Sequence, residues 1–339
     1  MVSLLFSILF VAFLNSASTN ASPLFKLSSR AQVIPQFVKD FAPVVFLDKE
    51  EQYYPADIAR HIENTAPFIT LNAVDPAPAI TVDNLETLNA LGNQGDDVFL
   101  TSKEIVKNKP AFFTGTKPDN TGMTVGATSC VTIVSDHGDG IVDAFYMYFF
   151  SYNQGNTVFF HELGDHVGDW EHNMIRFKNG VPEAVWFSQH SGGQAFAYSG
   201  LEKEGNRPVV YTARGTHAIY SKDGDHDHTI PGLNFSKGPL EDYTSRATRW
   251  DPMKSTFFYT FDRSTETLTS VGNSPLGIMN FRGKWGDAQY PKGKKGQENL
   301  FTFRKYVDGP TGPRNKNLNR VNVCPDKTKY CKIRVKAAP

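Results

Sequence analysis

The chain has 339 residues, and 35 Lys and Arg are balanced by 35 Asp and Glu. Neutrality excludes a globally basic nucleic-acid binder, and a 40% hydrophobic content excludes wholesale disorder. Aromatics at 13%, with 27 Gly and 20 Pro, favour a β-rich architecture over a helical bundle.

Residues 1–21 carry no charged side chain, and residues 4–14 are almost wholly apolar. Small residues follow, Ser16-Ala17-Ser18 and Asn20-Ala21-Ser22. This pattern reads as a secretory signal peptide, although it lacks a leading Lys or Arg. The run is shorter than the ~20 residues that cross a bilayer, and no later stretch of 18 uninterrupted apolar residues occurs. An uncleaved anchor is the alternative. The expectation is a soluble mature chain, residues 22–339, secreted or in the vacuolar lumen, with no transmembrane segment after cleavage.

Short β-like runs recur at 42–47, 130–134, 144–150, 171–177, 184–187, 209–212 and 255–261. Helical periodicity is confined to short stretches at 56–62, 82–91 and 102–107. The fold class expected is mainly β: a single β-sandwich, jelly-roll-like, with long loops and a few short helices.

The densest chemistry lies between residues 143 and 220, around Gly164-Asp165-His166-Val167-Gly168-Asp169-Trp170-Glu171-His172. On a strand, Asp169 and Glu171 project together while Trp170, His172 and Met174 project to the other face. His166 lies on a Gly-flanked turn that can fold toward the two carboxylates. Like charges on neighbouring same-face positions repel, and a divalent cation would relieve that. Oxygen ligands with one imidazole suit calcium or magnesium better than zinc. The alternative is an exposed acidic strand face beside a core tryptophan.

His161 and His166 superficially match a zinc-protease helix, but they are five apart rather than four and would not share a face. No Gly-x-Ser-x-Gly elbow or phosphate-binding Gly loop occurs. Polar words end two strands: Ser188-Gln189-His190-Ser191-Gly192-Gly193, and Ala213-Arg214-Gly215-Thr216-His217. Such strand-end loops suit a cleft. His190 and His217 are candidates for an acid/base pair, with structural histidines as the alternative. Gln189 and Arg214, with Asp225, His226 and His228 in a loop-like stretch, are candidate ligand-binding residues.

Asn234, in Asn234-Phe235-Ser236, is a glycosylation acceptor by rule, as is Asn20. Cys324 and Cys331 are close enough in sequence to close a small disulfide loop in an oxidising compartment, leaving Cys130 as a buried thiol. From about residue 291 the chain is basic. Residues 291–339 hold 13 basic and 3 acidic side chains, a local charge of +10. This is either a solvated extension packed on an acidic body or a contact for an anionic glycan or lipid surface.

The sequence resembles the vacuolar protein sorting-associated protein 62 family of fungi and plants. The matching words are Asp143-Ala-Phe-Tyr-Met-Tyr-Phe-Phe-Ser-Tyr-Asn-Gln-Gly155, His166-Val-Gly-Asp-Trp-Glu-His172 and Phe187-Ser-Gln-His-Ser-Gly-Gly193. Asn206-Arg-Pro-Val-Val-Tyr211, Gly215-Thr-His217, Trp285-Gly-Asp287 and Gly309-Pro-Thr-Gly-Pro313 continue the match in order. The resemblance implies a role in protein sorting to the vacuole but secures no reaction.

A second, local resemblance is to the necrosis- and ethylene-inducing toxin family, whose core word is Gly-His-Arg-His-Asp-Trp-Glu. That resemblance implies a β-sandwich in which acidic and His side chains hold a divalent cation near membrane glycolipid. His166, Asp169 and Glu171 match the word's first His, its Asp and its Glu. Asp165 stands for the leading Gly, and Gly168 for the second His. Residues 146–153 are similar to the segment that supplies a further Asp ligand there, and Asn153 stands in that place. The implied metal set is Asn153, His166, Asp169 and Glu171.

The leading expectation is a secreted or vacuolar-lumen β-sandwich that binds glycan or glycolipid and is ordered by a divalent cation. A metal-assisted hydrolase or lyase acting on a polysaccharide or glycolipid is the second reading. A luminal factor in vacuolar protein sorting is the third.

Overall fold

The computed structural model describes residues 33–158, 160–227, 240–300 and 302–336. The expected signal segment, both sequons with Asn234, and His228 lie outside the described residues.

Two sheets organise the fold. Their strands, in chain order, are β1 (Val44–Leu47), β2 (Cys130–Gly138), β3 (Ile141–Asn153), β4 (His166–Lys178), β5 (Val181–Gln189) and β6 (Gly192–Ala197). They continue with β7 (Lys203–Glu204), β8 (Arg207–Thr212), β9 (Ile219–Tyr220), β10 (Thr248–Trp250), β11 (Thr256–Asp262), β12 (Thr267–Val271) and β13 (Ile333–Arg334). The eight-stranded sheet runs β12-β11-β2-β3-β4-β5-β6-β13, and the five-stranded sheet runs β7-β8-β1-β10 with β9 on β8. Most neighbours are antiparallel, but β1 with β8, β2 with β11 and β6 with β13 are parallel.

The mainly β expectation is met, and each of the seven predicted strand runs lies on a strand. The helix over 56–62 forms as Ile58–Glu63, where the Asp57 side chain accepts from Arg60 N at the N-terminus. The stretch 82–91 gives a 3₁₀ helix, Leu85–Ala90. The stretch 102–107 does not form a helix. Ser102 ends the strand Val98–Ser102, and a single 3₁₀ turn follows at Val106–Asn108. Val98, Leu100 and Thr101 are buried in pairing with Thr65–Ile69, so tertiary contact overrides the weak helical pattern.

The large sheet is buried on both faces, which explains the near-continuous apolar run in β3. On one face Phe145, Met147 and Phe149 join Trp170, Met174 and Trp186, under the short helices and the segment around Phe281 and Trp285. On the other, Tyr146, Tyr148 and Phe150 join Ile175, Phe177, Val185 and Phe187 against Val45, Leu47, Val210, Ile219 and Trp250 of the small sheet. This second core is the sandwich interior. Where β4 begins and β1, β3, β5 and β8 end, its apolar row gives way to polar side chains. The Cys324–Cys331 disulfide is present, and Cys130 is a buried free thiol. Among the described residues no helix is long and apolar enough to cross a membrane.

Candidate functional site

The alternation read for β4 holds. Trp170 and Met174 enter one core and Ile175 and Phe177 the other, which puts Asp169 and Glu171 on the sandwich side. Asp169 is 4% exposed and Glu171 7%. Each already has a protein partner. His217 Nδ1 donates to Asp169 Oδ2 at 3.0 Å, and its Nε2 donates to the Tyr53 carbonyl at 3.0 Å. Ser188 Oγ donates to Glu171 Oε2 and accepts from His172 N.

His217 sits in the left-handed backbone region, φ +56°, in the turn joining β8 to β9. That backbone brings its ring flat against Phe150, centroids 3.7 Å apart and planes at 4°. Burial disfavours a charged imidazole. The hydrogen bond to Asp169, and then Glu51 3.8 Å from Nε2, outweigh burial and push the pKa up to about 9. His217 is therefore an imidazolium donating from both nitrogens. Glu171 moves the other way: burial, and then the Asp169 charge, push its carboxyl up to about 7 against the pull of Lys316, Ser188 and His190.

His190 forms a second acid–base pair. Its Nε2 donates to Asp242 Oδ2 at 2.6 Å, and Asp242 also accepts from Tyr220 OH at 2.7 Å and Thr216 Oγ1 at 2.9 Å. Burial would raise Asp242, but His190 and the two hydroxyls hold it down at about 2. Burial would lower His190, and Asp242 raises it above its ordinary value. So His190 and His217, read as a pair, each take a carboxylate of their own.

The proposed metal set is arranged differently from its expected convergence. Asn153 and His166 are cross-strand partners, but Asn153 Nδ2 donates to Gly164 O at 3.0 Å and His166 Nδ1 donates to Gly168 O at 2.7 Å. Burial holds His166 below its ordinary pKa despite the nearby Asp169. Among the described residues no three His, Cys, Asp or Glu side chains form a group that could hold a metal ion.

Gly168 explains the departure from the toxin word. Its φ is +67°, and a Cβ there would lie 2.1 Å from the Trp285 carbonyl oxygen. A histidine has no room.

The remaining candidates surround this end of the sandwich. Gln189 Nε2 donates to Ile219 O at 3.1 Å. Arg214 pairs with Glu50 and Asp48 and lies 4.9 Å over the Tyr243 ring, so it serves the rim. Asp225 is exposed on the hairpin Gly224–Asp227 with Glu241–Thr244. His226 on that hairpin stacks on Tyr220, centroids 3.8 Å apart.

Sequence reasoning passed over Glu51 and Asp242, which complete the network, because their partners lie 52 to 164 residues away, Asp242 against His190 and Glu51 against Gly215 N. It also passed over Asp165. That carboxyl is fully buried, accepts from Tyr152 OH and from Gly155 N at 2.9 Å, and lies 3.3 Å from Lys109 Nζ. Burial pushes it up to about 6 despite Lys109. Tyr53 links the two clusters: its carbonyl meets His217 and its ring lies 5.0 Å from Tyr152.

A family model described as vacuolar protein sorting-associated protein 62 matches residues 14–234. Vacuolar protein sorting-associated protein 62 of Saccharomyces cerevisiae is 32% identical over 320 residues, 86% of this chain and 68% of that protein. The TDA6 protein of the same yeast, also named for vacuolar protein sorting, is 36% identical over 323 residues with the same coverages. Among solved structures, NLPPya in complex with glucosamine aligns at 11% identity and a TM-score of 0.31, covering 66% of this chain and 72% of that one. Necrosis and Ethylene inducing Protein 2, from the causal agent of cocoa's Witches Broom disease, aligns at 14% identity and a TM-score of 0.27, covering 57% and 69%.

Proposed function

Because the chain belongs to the vacuolar protein sorting-associated protein 62 family, and its polar side chains gather at one end of a sandwich, we propose that it binds a glycan or glycolipid headgroup there. The proposal includes a divalent cation on Asp169 and Glu171, calcium or magnesium before zinc. It also includes secretion through the signal segment 1–21, to the exterior or the vacuolar lumen.

One observation carries this reading. Asp169 and Glu171 share a face, are nearly buried, and leave Glu171 at about 7 under burial and the Asp169 charge. Two carboxylates held this close are stabilised by whatever donates to them or neutralises them. Sugar hydroxyls and a hard cation both do so. His217 and Ser188 serve that role in the structure.

The test is titration of calcium, magnesium and manganese into the wild-type protein and Asp169→Ala, with a glycan and glycolipid array run on the same samples. Saturable binding that Asp169→Ala abolishes supports the proposal. A wild-type protein that takes up no cation removes the cation, and an array with no signal removes the glycan.

The His190–Asp242 pair favours a second reading, a metal-assisted hydrolase or lyase. A histidine held by a buried carboxylate, close enough for the Glu171 charge to act on it, can move a proton at a bound sugar. Turnover on polysaccharides or glycolipids that His190→Ala abolishes, with cation binding retained, would establish it.

A further inference from the structure

Two short hairpins stand side by side. The first pairs Asn156–Val158 with His161–Leu163, and the second pairs Asn299–Leu300 with Phe303–Arg304. Main-chain bonds join their bases: Gly164 N donates to Arg304 O at 2.9 Å and Asp165 N to Lys305 O at 2.7 Å. Lys305 Nζ meets Glu162 at 2.7 Å, and His161 Nδ1 meets Glu298 at 3.4 Å.

At the tip of the first hairpin Phe160 is 101% exposed, with φ +68°. A bulky residue in the left-handed region is a conformational outlier, and full exposure gives this one no packing in return. The segment leading into the second hairpin turns at Pro291, where Lys294 N donates to Pro291 O at 3.0 Å, and exposes Lys292, Lys294 and Lys295. Residues 291–304 carry four basic side chains and one acidic, Glu298, which is the residue that meets His161.

We propose that these paired hairpins dock the protein on an anionic bilayer surface, with Phe160 entering the headgroup boundary and the lysines engaging lipid phosphates and carboxylates. A fully exposed aromatic and an exposed lysine-rich segment, on hairpins joined at their bases, are poorly suited to a protein partner, whose hot spots sit in larger dehydrated patches. They are well suited to a membrane interface, where the ring gains an apolar medium and each cation gains a negative surface. The bases are fixed to each other by backbone hydrogen bonds, and the lysines lie on the segment that leads into the second hairpin.

The experiment is co-sedimentation of the full chain with vesicles of phosphatidylcholine alone or with about a third phosphatidylserine. No glycolipid is present, so the outcome is independent of the glycan proposal. The wild type is expected to sediment with the anionic vesicles only. Phe160→Ser is expected to weaken this several-fold, and Lys292→Glu/Lys294→Glu/Lys295→Glu by roughly tenfold or more at low salt. Both are surface changes, and circular dichroism will show them folded. Absence of wild-type binding overturns the proposal. So does binding that survives the triple change. Binding that Phe160→Ser leaves untouched overturns the hairpin tip as the docking element.

Discussion

The His217 ring lies flat on Phe150 at 3.7 Å while its two nitrogens bridge Asp169 and the Tyr53 carbonyl. One imidazolium thus ties the start of β4 to the segment after β1, and neutralises a carboxylate that would otherwise be buried alone.

From this follows a large single-residue loss at the candidate site. Removing one partner of a buried ion pair costs about 3–5 kcal/mol. His217→Asn keeps a residue tolerant of φ +56° but loses the pair and the stack. It is expected to lower stability by about 3 kcal/mol in urea unfolding. Asp169→Asn/His217→Asn should lose less than the sum of the single changes. Strict additivity would mean that the two groups do not act as a pair.

The His190–Asp242 pair sets a pH dependence with two limbs. Asp242 is held at about 2 against an ordinary 3.8, so its contribution is present above 3.8 and is lost as pH falls toward 2. His190 is raised above 6.5, so its contribution is present below 6.5 and is lost as pH rises through the raised value. The stability gap between wild type and Asp242→Asn should be widest between about pH 4 and pH 6.5 and narrow at both ends. His190 is one-quarter exposed, so a gap of about 2 kcal/mol is expected, below that of a fully buried pair. Chemical denaturation across that pH range measures it. A gap that stays flat with pH would show that the pair is not charge-coupled.

Gly168 is where backbone geometry dictates sequence. Gly168→Ala forces a Cβ against the Trp285 carbonyl in a left-handed conformation. The clash and the backbone penalty together predict a loss of about 2–4 kcal/mol. Gly168→His, which restores the toxin word, should fold no better than the alanine variant. Thermal melts of both decide the matter. A histidine variant as stable as wild type would mean that the segment around Trp285 yields easily.

The strands were legible because their aromatic and β-branched runs mark them whatever packs above. The pairing of Asp169 with Glu171 on one face was legible because alternation along β4 depends only on local geometry. The partners of those carboxylates were not. His217 lies 48 residues from Asp169 and Asp242 lies 52 from His190. No spacing rule joins them, since register between strands and loops is set by the assembled core. The helix expected at 102–107 lost its first residue for the same reason: Ser102 belongs to a strand paired with Thr65–Ile69. Asp165 read as a neighbour of the motif, and only burial beside Tyr152 and Lys109 reveals it as a second acid.

The basic extension is fastened by an unusual residue. Arg320 is 0% exposed and has no carboxylate within ion-pair distance among the described residues. Its guanidinium donates to the carbonyls of Lys316 at 2.6 Å, Asn317 at 3.0 Å and Val323 at 3.3 Å, and its NH2 group lies 3.4 Å from His172 Nε2. It also lies 4.9 Å over the Phe145 ring, and burial lowers its pKa to about 10. A planar fork that satisfies three carbonyls at once cannot be replaced by an ammonium. Arg320→Lys and Arg320→Met should therefore both release the segment, each leaving buried carbonyls unpaired at a cost of about 1–3 kcal/mol apiece, partly recovered as water enters. Limited proteolysis should show new cleavage between residues 314 and 336, while far-UV circular dichroism retains the strand signal. Rescue by lysine would mean that charge rather than the fork holds the extension. Unchanged proteolysis in both variants would assign the anchoring to Leu318, Val323 and the disulfide instead.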